Sequence, residues 1–283
     1  MNLQLPSPLQ QIRFRGVDFY LKRDDLISDS FSGNKARKFM WFLDHEMPHI
    51  RQVCSYGSPQ SNAMYSLSVL AKMRGWDFHY YVDHVASYLK ADPHGNYLYA
   101  LQNGMQLHEE KAPRDLSEDT LWIEEGGRQA EAEYGIKMLA EELARDFGGR
   151  DLSVFLPSGT GTTALYLQKH LPFPVLTTPC VGDAAYLKAQ FLSLEEDESV
   201  HPTILVPPKK YHFGKLYREF FKIWIELKEK TGVTFDLLYD PPGWLVLLEH
   251  LEKIGNEICY IHQGGLIGNE SMLKRYERKF QQS

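Results

Sequence analysis

The chain has few cysteines, no long apolar run and no basic block. Its 283 residues include 3 cysteines, Cys54, Cys180 and Cys259, and none lies in a Cys-x-x-Cys pair or at a zinc-ligand spacing. Scattered cysteines are typical of a reducing compartment. No stretch approaches the ~20 apolar residues of a membrane span, and the first residues do not resemble a secretion signal. The sequence therefore predicts a soluble, cytoplasmic protein that has no metal site and does not act at a membrane.

The charge balance argues against a nucleic-acid partner. The formal net charge is -6 at pH 7, and lysine and arginine are not clustered in any long segment. Nucleic-acid binding needs a basic surface, so we expect none. Charged residues make up 24% and apolar residues 43% of the chain, which predicts a folded protein with core enough for two small domains.

Short β-rich apolar runs alternate with stretches of helical spacing. This alternation predicts α/β units with mostly parallel strands. A polar stretch at 109–120 is predicted to be a surface loop, and Glu125-Gly126-Gly127 to be a crossing between domains. The predicted strands are 52–55, 78–82, 153–156, 175–177, 203–206 and 258–262, and the predicted helices are 62–73, 131–146, 162–170 and 215–230.

Lys35 stands near the start of a further predicted helix. Residues 32–34, Ser-Gly-Asn, are helix-start residues, and Phe39 and Phe42 follow Lys35 on the same helical face. Burial of that face and the positive end of the helix dipole both disfavour an ammonium group, so the pKa of Lys35 is predicted to be lowered. An imine-forming amine needs such a pKa. The alternative is a lysine whose amine reaches solvent.

A glycine-rich loop runs from Ser158 to Thr163, between a predicted strand and a predicted helix. Its glycines, hydroxyls and backbone N–H groups suit an anion such as a phosphate. A tight turn without a ligand is the alternative. The loop lacks the Gly-Lys-Ser/Thr ending of a P-loop and the full GxGxxG pattern, so a nucleotide-binding protein is a weaker interpretation.

A second polar segment, Gln60-Ser61-Asn62, precedes the predicted helix 62–73. Ser61 or Asn62 would cap that helix, and this structural task alone explains both residues. A hydroxyl and an amide at a helix start also suit a substrate carboxylate or a ring oxygen. The pattern leaves both interpretations open.

In this order, the segments resemble the family of 1-aminocyclopropane-1-carboxylate (ACC) deaminase and D-cysteine desulfhydrase. That family belongs to the tryptophan-synthase-β-like, fold type II enzymes that use pyridoxal 5'-phosphate (PLP). Residues 20–26 and 31–38, YLKRDDL and FSGNKARK, are similar to its KRDDL…GNKxRK signature. The further similarities are those of 60–62 to QSN, 125–127 to the IPxGG crossing, 158–163 to the TGSGGT phosphate loop and 262–266 to HTGGL.

The resemblance implies an architecture. It is an α/β fold of two three-layer domains with mostly parallel, twisted sheets, and PLP lies in the cleft between them. The larger domain would comprise residues 1–37 and 126–283, and the smaller domain, inserted into it, residues 38–125. A homodimer is also implied.

The resemblance further implies contacts to the cofactor. Lys35 would carry PLP as a Schiff base, Lys38 would lie near its phosphate, and Asn62 would bond its 3'-oxygen. Gln263 replaces the threonine of HTGG, close to where the pyridine nitrogen finds its partner. The phosphate loop supplies the remaining predicted contacts, which are Ser158, Gly159, Thr160, Gly161 and Thr162.

The implied substrate is a small amino acid, with Gln60, Ser61 and Asn62 around its carboxylate. Ser61 would also be able to handle a proton. Tyr217, in the segment Gly214-Lys215-Leu216-Tyr217, is predicted to be catalytic because it resembles a tyrosine of the family's GPGY segment.

The implied activity is that of a PLP-dependent lyase or deaminase. Elimination from the substrate would give an α-keto acid and ammonia, with the Lys35 amine as the base at the α-carbon. The family's DPVY segment is matched to residues 240–244, Asp-Pro-Pro-Gly-Trp, which contain no tyrosine. Ring-opening deamination of ACC is therefore disfavoured. It remains an alternative, as do racemisation and a PLP-binding protein without turnover.

Overall fold

The computed structural model describes residues 2–113 and 115–280, which form two sheets and the helices around them. The strands are Leu9–Phe14 (β1), Val17–Arg23 (β2), Gln52–Tyr56 (β3), Asp77–Tyr81 (β4), Met105–His108 (β5), Thr120–Trp122 (β6), Leu152–Ser158 (β7), Val175–Pro179 (β8), Thr203–Ile204 (β9) and Glu257–His262 (β10). The α-helices are Gly33–Asp44 (α1), Asn62–Arg74 (α2), Ser87–Ala91 (α3), Gly95–Gln102 (α4), Ala132–Phe147 (α5), Thr162–His170 (α6), Ala184–Leu192 (α7), Arg218–Thr231 (α8), Asp240–Ile254 (α9) and Gly268–Phe280 (α10).

The larger sheet has six strands in the order β1-β2-β10-β7-β8-β9. Strand β1 pairs with β2 antiparallel, and the other pairs in this sheet are parallel. The two-residue turn between β1 and β2 consists of Arg15 and Gly16, which have φ values of 47° and 83°. Two positive φ values in succession are typical of the turn that suits the twist of a hairpin.

The smaller sheet has four parallel strands in the order β5-β4-β3-β6. All four lie within residues 52–122, whereas the strands of the larger sheet come from both sides of that segment. The predicted α/β fold with mostly parallel sheets is confirmed. The domain boundaries at residues 37 and 125 stay a prediction. The predicted loop at 109–120 includes Arg114, which lies outside the described residues.

The central strands of the larger sheet are buried on both faces. Strands β7 and β8 have no exposed residue, and in β10 the first residue alone is exposed. The sequences of such parallel strands are continuous apolar runs, because helices cover both faces of the sheet. Within the described ranges, no helix combines the length and the apolar character needed to cross a membrane.

A buried cluster of charges holds α1 in place. The guanidinium of Arg37, on α1, donates to the Asp24 carboxylate at 2.8 and 3.1 Å and to Glu142, on α5, at 2.8 and 3.0 Å. Lys22, the penultimate residue of β2, lies 2.9 Å from the same Glu142 carboxylate. These ion pairs join the end of β2, α1 and α5, so they fix the helix that carries Lys35.

Candidate active site

A cavity of about 460 Å³ lies beyond the carboxyl ends of strands from both sheets. In parallel α/β sheets this is where ligands bind. The loops after β3, β6, β7 and β10 line the cavity, together with the first turn of α1 and one face of α10. The predicted site residues that line it are Lys35, Lys38, Gln60, Ser61, Asn62, Ser158, Gly159, Thr160, Gly161, Thr162 and Gln263.

The amines of Lys35 and Lys38 meet at one carbonyl group. Lys35 Nζ and Lys38 Nζ donate to the oxygen of Gly126 at 3.1 and 3.0 Å, and Lys38 Nζ also donates to Thr160 Oγ1 at 3.4 Å. Burial lowers the pKa of Lys35 to about 8, although the Glu125 carboxylate favours its charged form. Burial and the neighbouring Lys35 hold the pKa of Lys38 well below its usual range. The amine of Lys35 therefore faces the cavity with the depressed pKa that a nucleophilic amine needs.

The glycine loop joins β7 to α6 and passes beside Lys38. Gly161 precedes the first residue of α6 with a φ of 74°. A Cβ atom on Gly161 would overlap the Phe191 ring and lie 2.6 Å from Leu187 Cδ1, so only glycine fits there. Gly159 lies against Tyr239, whose Cε1 would be 3.3 Å from an added Cβ.

This loop has the unsatisfied donors that a phosphate requires. The backbone N–H groups of Gly159, Thr160 and Gly161 have no acceptor among the described residues. The buried hydroxyl of Thr163, in the first turn of α6, has no partner there either. Buried polar groups are rarely left unpaired, so these donors fit an anion held at the start of α6. The residues present thus fit the phosphate group of PLP, with the Lys38 amine as a further donor beside the loop.

Ser61 and Asn62 perform the capping and positioning tasks that the sequence left open. Ser61 Oγ accepts from the N–H groups of Ala63 and Met64 at 3.1 and 3.4 Å, so it is the N-cap of α2. Asn62 Oδ1 accepts from Asn96 Nδ2 at 2.6 Å. The orientation of the Asn62 amide is therefore fixed at the cavity wall.

Asp236 is a buried carboxyl group next to Asn62. Its oxygen accepts from the N–H groups of Leu238 and Tyr239 at 2.8 and 2.6 Å, and the Asn62 side chain also bonds it. Burial raises the pKa of Asp236 to about 6, and these hydrogen bonds limit the rise. Asp236 lines the cavity, although no motif in the sequence points to it.

Gln263 connects the start of α1 to the end of β7. Its Oε1 accepts from Asn34 Nδ2 at 3.0 Å, and its Nε2 donates to the carbonyl oxygen of Pro157 at 2.7 Å. The backbone N–H of Asn34 also donates to the Gln263 carbonyl at 3.0 Å. The amide is thus held by protein groups while its side chain lines the cavity, and its predicted contact with a pyridine nitrogen stays a prediction.

Tyr217 and Tyr239 differ in their position relative to the cavity. Tyr217 does not line the cavity; its hydroxyl accepts from the His212 N–H at 3.0 Å, and its ring packs against Tyr211 and Phe220. Tyr239 lines the cavity and lies over Gly159. Burial raises the pKa of Tyr239 above its usual value, which keeps the hydroxyl protonated and able to donate.

The match of residues 240–244 to the DPVY segment needs correction. These residues form the first turn of α9, where Pro241 and Pro242 are tolerated because first-turn N–H groups need no helical partner. Asp240 is buried and accepts from the Tyr260 hydroxyl at 2.6 Å. The residues just before it, Asp236-Leu237-Leu238-Tyr239, have the Asp-x-x-Tyr spacing and place the tyrosine at the cavity. A tyrosine thus lies at the cavity just before Asp240, although none follows it.

Solved structures share this fold across nearly the whole chain. A crystal structure of an ACC deaminase homologue has a TM-score of 0.77 at 21% identity and covers 97% of this chain and 95% of its own. A hydrogen sulfide-producing enzyme from Fusobacterium nucleatum has a TM-score of 0.64 at 13% identity, with 92% and 93% covered. A PLP-dependent aspartate racemase has a TM-score of 0.60 at 14% identity, with 92% and 90% covered. The chain therefore shares the fold of these proteins.

Two archaeal proteins are similar to the chain in sequence, and both carry the name "Putative 1-aminocyclopropane-1-carboxylate deaminase". The protein from Pyrococcus furiosus is 25% identical over 93% of this chain and 90% of its own length. The protein from Pyrococcus horikoshii is 24% identical, with 93% and 88% covered. No family model matches the chain. The resemblance to ACC deaminase-like enzymes, predicted from the motifs, is confirmed by these similarities.

Proposed function

We propose that this chain is a PLP-dependent lyase or deaminase that acts on a small amino acid and releases an α-keto acid and ammonia. The observation that carries the proposal is the Lys35 amine, which has a pKa lowered to about 8 and faces a cavity beside a glycine loop with unsatisfied donors. The fold type II neighbours and the similarity to named ACC deaminases support it.

Each part of the cavity has a task in this chemistry. Bound PLP would supply an electron sink for the negative charge that develops at the substrate α-carbon. The start of α6 and Lys38 would hold its phosphate, and Asn62 would bond its 3'-oxygen. Lys35 would attach the cofactor and, when its amine is free, move the α-proton. The start of α2, with Gln60 and Ser61, would hold the substrate carboxylate.

Deamination of ACC is the second candidate reaction. The position of Tyr239 favours it, because the hydroxyl lies at the cavity and stays protonated. A tyrosine that donates a proton to the departing carbon or thiol group would serve both ring opening and elimination.

Borohydride reduction tests the cofactor site. We expect mass spectrometry of the reduced, cofactor-loaded protein to show a pyridoxyl adduct on Lys35, since reduction makes the attachment permanent. Lys35→Ala should abolish both adduct and turnover. Lys137→Ala, at an exposed position of α5, is the matched control and should change neither. An unmodified Lys35 in loaded protein would contradict the proposal.

A panel of amino acids then tests the reaction. We expect α-keto acid from at least one member of a set that includes D-cysteine, L-cysteine, D-serine, L-serine and ACC. Loss of optical activity without keto acid would instead identify a racemase. An adduct at Lys35 with no change in any substrate would identify a PLP-binding protein without turnover.

The location and assembly of the protein are proposed from the sequence alone. The resemblance implies a homodimer, and the composition a cytoplasmic protein with no nucleic-acid or membrane partner. Light scattering should give twice the 32.7 kDa chain mass, and a value of one chain mass would contradict the homodimer.

A further inference from the structure

Helix α10 presents two polar side chains to the cavity, one turn apart. Ser271 and Arg275 both line the cavity wall, at positions i and i+4 of α10. Side chains at this spacing are neighbours, with Cβ atoms about 5–6 Å apart. They lie on a different element from the lysines and from the glycine loop, so they form a separate part of the cavity.

Arg275 is a half-buried cation whose protein partners are uncharged. Its Nη2 donates to the carbonyl oxygen of Gly214 at 2.5 Å, and its Nη1 lies 3.2 Å from the Met272 sulfur. A guanidinium has five N–H donors, so most of its donors remain for another group. Arg275 forms no ion pair within the described chain. The arginines that do so there are Arg13, Arg15, Arg23, Arg37 and Arg150.

Three acidic residues line the cavity, and each has other neighbours: the Glu125 carboxylate acts on Lys35, and Asp236 and Asp240 are hydrogen-bonded within the protein. Asp236 accepts from backbone N–H groups of its own loop, and Asp240 accepts from the Tyr260 hydroxyl and the Asp236 N–H. These bonds hold both carboxyl groups in the loop that starts α9. Within the described chain, none of these three acids forms an ion pair with Arg275.

Ser271 provides a second, independent observation. Its residue is 3% exposed, and its hydroxyl has no hydrogen-bond partner among the described residues. The hydroxyl faces Gly95, at the start of α4 and outside the cavity lining, where an added Cβ atom would be 2.6 Å away. A buried hydroxyl without a partner calls for a ligand or a water molecule.

We propose that Arg275, with Ser271 packed one turn before it, forms a subsite for an anionic group on the substrate side chain, so that the substrate class is amino acids with an acidic side chain. This inference rests on the proposed function, which puts the α-carboxylate at the start of α2. A side-chain carboxylate would then take the free donors of Arg275. Arginine suits such a group because its planar fork matches a carboxylate.

Calorimetric titration with matched acid and amide pairs tests the subsite. The probes are aspartate against asparagine and glutamate against glutamine, in both D and L forms. We expect at least one acid to bind about tenfold or more tightly than its amide, which corresponds to about 1.4 kcal/mol. Arg275→Gln should reduce that ratio to below about twofold, and Ser271→Ala should reduce it by less.

Two further variants separate binding from folding. Arg275→Gln removes the hydrogen bond to the Gly214 carbonyl as well as the charge, so it can disturb the loop. Arg275→Lys keeps the charge and should retain part of the preference for the acid. Arg145→Gln, at an exposed position of α5, should leave the preference unchanged. A wild-type protein without preference for the acids would overturn the inference, as would an Arg275→Gln variant that keeps it. Equal weakening of acid and amide would also overturn it, because Arg275 would then hold the α-carboxylate.

The titration is informative even if the proposed function fails. Borohydride mapping detects cofactor attachment at Lys35. Calorimetry measures the ratio of acid to amide affinity, with or without an attached cofactor. An adduct at Lys35 without acid preference rejects the subsite alone. An acid preference that depends on Arg275, in protein that forms no adduct, rejects the proposed function and keeps the subsite.

Discussion

The surroundings of the Lys35 amine lower its pKa. The amine is bonded to a carbonyl group inside the cavity, and burial lowers its pKa from 10.5 to about 8. At pH 7 this makes the uncharged fraction roughly 300-fold larger than that of an ordinary lysine. Since the folded pKa lies below the unfolded one, the buried ammonium destabilises the fold below about pH 8, and this penalty disappears as the pH rises through 8 towards 10.5.

The pKa of Lys35 predicts a pH dependence of cofactor attachment. After the cofactor is removed, the rate of reattachment followed by absorbance should rise with pH and have its midpoint near pH 8, because the uncharged amine reacts. Glu125→Gln should move the midpoint to lower pH, since the carboxylate favours the ammonium. A midpoint near 10, or a shift upward in Glu125→Gln, would contradict the assigned environment.

The two tyrosines offer a comparison at the residue scale. Tyr239→Phe removes a hydroxyl from the cavity wall, and kcat should fall by about 100-fold or more if that hydroxyl donates a proton. Cofactor attachment at Lys35 should be retained. Tyr217→Phe removes a hydroxyl outside the cavity and should change kcat by less than about twofold. The reverse order of effects would return the catalytic role to Tyr217.

Gly161 precedes α6 in the loop that we propose holds the phosphate. Gly161→Ala should lower the free energy of unfolding by about 2–5 kcal/mol and weaken PLP binding, because it adds backbone strain and a clash with Phe191. Gly75→Ala is the matched control: Gly75 has a φ of 70° and open space around it, so it should cost about 1–2 kcal/mol and leave PLP binding unchanged. Urea unfolding and cofactor titration measure both effects. Equal losses of stability in the two variants would show that the Phe191 contact does not matter.

The elements that the sequence revealed are those with one clear periodicity. Strands β3, β4, β7, β8 and β10 and helices α2, α5 and α6 lie within a few residues of their predictions, because continuous apolar runs and helical faces are strong signals. The hairpin of β1 and β2 was not predicted. Its strands are rich in glutamine, arginine and lysine and are only partly buried. Helix α9 was missed because its first turn contains two prolines.

At the scale of the whole molecule, the buried charges of Arg37 hold the lysine helix to the rest of the fold. Arg37→Met would leave the buried Asp24 carboxylate without its ion pair and Glu142 with Lys22 alone, so it should lower the free energy of unfolding by about 3–5 kcal/mol. Arg13→Met breaks an ion pair whose side chains are 67% and 73% exposed, and it should cost about 0–1 kcal/mol. Chemical denaturation of both variants measures the difference. A loss below 1 kcal/mol for Arg37→Met would show that the cluster does not hold α1.

The sequence predicted most of the residues that line the cavity, but not Tyr239, Ser271 and Arg275. Lys35, Asn62 and the glycine loop stand in recognisable motifs, and all of them line the cavity. Tyr239 stands just before Asp240, and the sequence alone does not place it at the cavity. Ser271 and Arg275 had no local signal, because their place at the cavity depends on how α10 packs against other elements.

The carbonyl of Gly126, which accepts from both lysine amines, makes the two groups share their protons. Two ammonium groups on one acceptor repel each other, so the charge on Lys35 lowers the pKa of Lys38 and the two titrations are coupled. When Lys35 loses its charge, this repulsion disappears and the ammonium form of Lys38 is less disfavoured. The fraction of Lys35 that is uncharged and the charge that Lys38 offers to an anion in the glycine loop therefore depend on each other.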